Sequence, residues 1–124
     1  MNKKNLGTVL CIDNDEIFKS KLAEKLQDKY GFLFFNENIE PEIPFQFINA
    51  IGGIDLGIIS LDSSNGLNYI SRLKKLYPSS LLVATSSDLT QSTIKLLESS
   101  LSGGTLLLDK KYALENIEEF VKYS

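Results

Sequence analysis

The stretch Ile54-Asp55-Leu56-Gly57-Ile58-Ile59-Ser60-Leu61-Asp62 is a short apolar run that ends in hydroxyl and carboxylate groups. It shows no period-two alternation, and Gly57 is its one weak point. That pattern suits a strand buried on both faces, as in a parallel sheet covered by helices. Periodicity alone would also admit a buried helix, but Gly52-Gly53 ahead of the run and Ser63-Ser64-Asn65-Gly66 behind it leave no room for one. Ligand sites in open α/β sheets lie where such strands end. Ser60 and Asp62 are therefore the first residues to question.

The rest of the chain repeats the theme. Thr8-Val9-Leu10-Cys11-Ile12 is a β-branched, apolar run that stops at Asp13-Asn14-Asp15-Glu16, and Phe18, Leu22, Leu26 and Tyr30 follow at helical spacing. Asp15 suits an N-cap, and Asp15 and Glu16 suit the positive end of a helix dipole. Gly31 is expected to close that helix before a second strand, Phe32-Leu33-Phe34-Phe35. Pro41 and Pro44 argue for a loop from Asn36 to Pro44, with only a short helical turn around Phe45 to Ile51.

After the strand ending at Ser60, Leu67, Ile70, Leu73 and Leu76 step along a third helix that Pro78 stops. Leu81-Leu82-Val83-Ala84 reads as a fourth strand running into Thr85-Ser86-Ser87-Asp88. Ile94, Leu97 and Leu101 mark a fourth helix, capped near Asp88 or Thr90 and ended by Gly103-Gly104. Thr105-Leu106-Leu107-Leu108 is a fifth strand with Asp109-Lys110-Lys111 at its end, and Leu114, Ile117, Phe120 and Val121 carry a last helix. Such alternation with short connections predicts a parallel sheet wrapped by helices on both faces.

Length and charge exclude several classes of function. The 124 residues suit one domain, 1–124. A net charge of -3 argues against nucleic acid or an anionic membrane as partner, and the lysine pairs Lys3-Lys4, Lys74-Lys75 and Lys110-Lys111 do not make a patch. No stretch is long enough to span a membrane, and the opening residues lack the apolar core of a signal peptide, so a cytoplasmic protein is expected. Cys11 is the one cysteine, placed in an apolar run as a buried thiol, and no disulfide within the chain is possible. The absence of histidine removes histidine triads, histidine metal sites and phosphohistidine chemistry, and the chain is read as non-enzymatic.

Polar groups recur at the strand ends: Asp13 and Asn14, Ser60 and Asp62, Thr85, and Lys110. With Val9 to Asp15, Asp55 to Ser60, Leu82 to Ser86 and Gly103-Gly104 leading to Leu108-Asp109-Lys110, the chain resembles, over nearly its whole length, the CheY-like receiver domains of bacterial response regulators. The resemblance implies a flavodoxin-like, doubly wound five-stranded parallel sheet in the order 2-1-3-4-5. It also implies an acidic pair at Asp13 and Asn14 for Mg²⁺, a phosphoaccepting Asp at the position of Ser60, a hydroxyl at Thr85 and a lysine at Lys110.

The pattern is broken where the chemistry would lie. Ser60 is no carboxylate and has no base to activate it, and Asn14 removes a second hard ligand, so no cofactor is expected. Leu107 stands where the family usually has an aromatic switch residue, and Lys111 where it has a proline. These losses indicate a degenerate, or pseudo-receiver, domain. It would act by phosphorylation-independent contact with a protein, whether a kinase, an output protein or a second copy.

The alternative is a working Mg²⁺-dependent phosphoacceptor that uses Asp62, with Asp13 and Asp62 as metal ligands. Residues 60 and 62 lie about 6.6 Å apart in an extended chain, so that reading requires the strand end to shift. The connection from Ser60 to Gly66 is also about two residues shorter than the family's. Simpler roles stand beside the functional ones: Asp13 and Lys110 could form an ion pair across the strand ends, and Thr85 could be a turn or cap hydroxyl. A flavin or nucleotide site is disfavoured, because Asp13-Asn14-Asp15-Glu16 would repel phosphate. The resemblance places partner docking on the face of the fourth helix, fifth strand and last helix, where Lys111 and Tyr112 offer a charged rim and an aromatic anchor. Tyr112 could instead pack against the start of the last helix.

Overall fold

Apolar runs that need cover on both sides are satisfied by parallel strands with helices packed on both faces of the sheet, and the described residues fold this way. A computed structural model describes residues 7–26, 30–62, 65–87 and 105–122. The elements are β1 (Thr8–Ile12), α1 (Glu16–Leu26), β2 (Gly31–Phe35), α2 (Glu42–Ile51), β3 (Leu56–Ser60), α3 (Gly66–Leu76), β4 (Leu81–Ser86), β5 (Thr105–Asp109) and a C-terminal helix (Lys110–Lys122). All strand pairs are parallel, in the order β2-β1-β3-β4-β5. The fourth helix expected over Ile94, Leu97 and Leu101, with its caps, lies outside the described residues.

Side-chain alternation divides the core into two layers. Leu10, Ile12, Ile59, Leu82 and Ala84 pack with Phe45 and Ile48 of α2 and with Tyr69, Ile70 and Leu73 of α3. Val9, Cys11, Leu56, Ile58 and Val83 point the other way, against Phe18, Leu22 and Leu26 of α1 and Ile117 of the C-terminal helix. Every residue of β3 is buried, as its unbroken apolar run requires. Gly57 is there because the sheet and α3 close over it: a Cβ would come within 2.9 Å of Leu82 Cδ2 and 3.3 Å of Ile54 Cδ1. Cys11 is fully buried, and burial pushes its thiol far above the ordinary value, so it is an inert core residue.

Helix ends explain the main departures from expectation. Asp15 does cap α1, its Oδ1 accepting the Phe18 N–H at 3.0 Å. Gly31, by contrast, closes no helix; it is the first residue of β2, its N–H donating to the Gly7 carbonyl at 2.9 Å. The segment with Pro41 and Pro44 forms a full helix rather than a loop and a short turn. Pro41 sits at the cap and Pro44 in the first turn, where an N–H would have no partner within the helix, so neither ring breaks it. Gly52 ends α2 at a left-handed φ of 89°, with its own N–H donating to Asn49 O and that of Gly53 to Ile48 O.

In α3 the buried stripe is Tyr69, Ile70 and Leu73, while Leu76 is exposed. A step of three drifts off a face set by 3.6 residues per turn. Ala113 and Ile117 are the buried positions of the C-terminal helix, with Leu114 partly covered; the side chains of Phe120 and Val121 lie outside the described residues.

Candidate functional site

Parallel strands in register deliver their last residues to one edge. Ile12 pairs with Ile59, Ser60 with Thr85, and Ser86 with Asp109, so Asp13, Ser60, Asp62, Thr85 and Lys110 come together there. Asp13 is 1% exposed. Its Oδ1 accepts the Asp15 N–H at 2.8 Å and the Lys110 ammonium at 3.0 Å, while Oδ2 is buried without a hydrogen-bond partner among the described residues. Lys110 Nζ also lies 3.5 Å from Asp62 Oδ2 and 3.8 Å from Asp15 Oδ2, and 5.7 Å from the centre of the Phe18 ring. One ammonium is thus shared among three carboxylates, closest to Asp13, the ion pair that the strand ends suggested.

The electrostatics follow from burial and partners. Burial pushes Asp13 up and the nearby Glu37 charge adds to it, with the Asp15 N–H and Lys110 opposing, so its carboxyl sits above the ordinary value. Burial pulls Lys110 down, but its bond to Asp13 and the charges of Asp13, Asp62 and Asp15 outweigh this and raise it. Burial likewise pushes Asp62 up, but the Ser87 N–H and hydroxyl, with Lys110, hold its carboxyl below the ordinary value.

Ser60 and Asp62 take different positions. Ser60 is 1% exposed, and its Oγ accepts the Asp62 N–H at 3.2 Å. The Asp62 carboxylate turns to the edge, where it accepts the Ser87 N–H at 3.1 Å, the Ser87 hydroxyl at 2.8 Å and the Ser86 hydroxyl at 3.4 Å. Thr85 is neither a turn nor a cap hydroxyl: it is fully buried within β4, and its Oγ1 has no partner among the described residues. Leu107 is half-buried against the α2 and α3 layer.

Asn14, expected in the pocket beside Asp13, is bonded to Glu37. It is exposed, and its Oδ1 accepts the Glu37 N–H at 2.7 Å while its own N–H donates to Glu37 Oε2 at 3.1 Å. Sequence reasoning passed over Glu37, although it is 5% exposed, and gave no role to Ser86, Ser87 or Asp109. Asp109 caps the C-terminal helix, its Oδ2 accepting the N–H groups of Lys111 at 3.0 Å and Tyr112 at 3.3 Å. A hydroxyl or carboxylate directly after an apolar strand was the available signal for Ser86 and Asp109; Glu37 had none. Lys111 and Tyr112, in the first turn of the C-terminal helix, are both exposed.

Among the described residues Asp13 offers one uncommitted oxygen, Asn14 is bonded to Glu37, residue 60 brings a hydroxyl, and the Lys110 ammonium stands among the remaining carboxylates. Among the described residues no group of three or more acids or cysteines is placed to hold a metal ion.

No protein-family model matches this chain, and no curated protein does. Solved structures do. A response regulator from Thermotoga maritima matches with a TM-score of 0.64 and 21% identity, over 93% of this chain and 97% of its own. A protein described as an atypical orphan response regulator with a phosphorylation-independent regulatory mechanism gives 0.65 and 16%, over 94% and 97%. An orphan response regulator of H. pylori gives 0.61 and 19%, over 92% and 95%. At these identities the likeness establishes the fold, the CheY-like, flavodoxin-like fold of receiver domains. No helix among the described residues is long and apolar enough to cross a membrane.

Proposed function

We propose that this chain is a receiver-like signalling module of the two-component type that works by protein contact without phosphorylation, metal or catalysis. One observation carries the reading: Ser60, at the phosphoacceptor position of the fold, is 1% exposed with its Oγ engaged by the Asp62 N–H. A hydroxyl in that setting has neither access nor a base. Lys110 is already paired with Asp13, so no phosphoryl group is needed to balance it. The partner is a kinase, an output protein or a second copy, docking where Lys111 and Tyr112 are exposed beside β5. That a structural neighbour is described as phosphorylation-independent is consistent with this reading.

A second reading keeps Asp62 as a phosphoacceptor, and its position favours it: the side chain is 31% exposed and its Oδ2 lies 3.5 Å from Lys110. Incubation with Mg²⁺ and acetyl phosphate, followed by intact mass, separates the two. We expect an unchanged mass. A phosphoryl gain that disappears in Asp62→Asn would establish the second reading instead.

A further inference from the structure

We propose that Glu37 is a positioning residue that clasps residue 14 outside the pocket, so that the strand-end site refuses a divalent cation by loop geometry and not only by composition. The contact is reciprocal. The Glu37 carboxylate holds the Asn14 N–H at 3.1 Å, and the Glu37 N–H holds the Asn14 side-chain oxygen at 2.7 Å, which ties the β1–α1 loop to the β2–α2 loop. Adjacent residues reinforce the clasp: the Asp13 N–H donates to the Phe35 carbonyl at 3.0 Å, and Lys19 of α1 donates to Asn36 Oδ1 at 2.8 Å.

Glu37 is 5% exposed and its Oε1 has no hydrogen-bond partner among the described residues. A carboxylate is costly to bury half-satisfied, and the contact that Glu37 makes through its other oxygen is with the Asn14 backbone. An aspartate at position 14 would not leave the clasp. Its carboxylate would accept the same Glu37 N–H, now as a charge-assisted bond that offsets repulsion from the Glu37 carboxylate.

This rests on the reading above, yet the two fail separately: equal Mg²⁺ binding by the variants below would overturn the clasp, while an unchanged mass with acetyl phosphate would keep that reading. The test compares Mg²⁺ binding by calorimetry for Asn14→Asp/Ser60→Asp and for the same pair with Glu37→Ala. Releasing the loop should tighten Mg²⁺ binding by about ten-fold or more in the triple variant. Equal binding by the two, whether tight or absent, overturns the proposal.

A milder variant guards against failure to fold. In Asn14→Ala the Glu37 amide should lose its acceptor and exchange its hydrogen about ten-fold faster or more, while β3 amides stay protected. Unchanged exchange at Glu37 would overturn the clasp as well.

Discussion

Lys110 Nζ lies 3.0 Å from Asp13 Oδ1, joining the first residue after β5 to the first after β1 across 97 positions of sequence. The ends of β3 and β4 lie between them in the sheet, so this bond ties the functional edge together. Lys110→Met would leave Asp13, which is 1% exposed, without its cation. We expect a loss of about 3 kcal/mol in urea unfolding. Lys110→Met with Asp13→Asn should lose less than the sum of the single variants; strict additivity would show that the pair is uncoupled.

Acid should act through Asp62. Its folded value is depressed below the ordinary 3.8, so its contribution is present above that value and is lost as pH falls below 3.8 through the folded value. Asp13 has the opposite sign: its raised folded value means that its burial penalty is relieved as pH falls toward 3.8. Urea midpoints measured from pH 6 downward should therefore show wild type more stable than Asp62→Asn near neutrality, with the gap closing below 3.8. A constant gap would mean that the Asp62 charge contributes nothing to folding.

Gly66 begins α3 directly against the end of β3. A Cβ there would collide with the Ser60 carbonyl oxygen and press on Leu61, in the short connection that turns Asp62 toward Lys110. Gly66→Ala should cost about 1–3 kcal/mol and disturb the Ser60 to Asp62 contact, read as a shift of the Asp62 amide resonance. An unaltered amide and unaltered stability would show that the junction has more room than its geometry indicates.

Tyr112 is 54% exposed and Lys111 is exposed beside it. Tyr112→Ala with Lys111→Glu should leave unfolding within about 0.5 kcal/mol of wild type. The same variant should weaken an identified partner by about ten-fold or more. Undiminished binding would place the interface on another face.

The sequence by itself determined the layered fold. Val9 to Ile12, Leu56 to Ile59 and Leu81 to Ala84 are apolar without alternation because each is covered on both faces, and that cover requires helices packed on a parallel sheet. It also determined that Asp13 and Lys110 would meet, since parallel strands in register bring their following residues to one edge. Pro44 misled because its effect depends on where a helix begins: it is harmless in the first turn of α2 and disruptive only further in. Only the tertiary structure decided the rest of the site. The chain bends at Asn14 just after β1, and there Asp13 is buried at the strand ends while Asn14 is exposed and bonded to Glu37. Glu37 and Ser87 reach their partners across 23 and 25 positions through loops, where no periodicity records which side chain will face which.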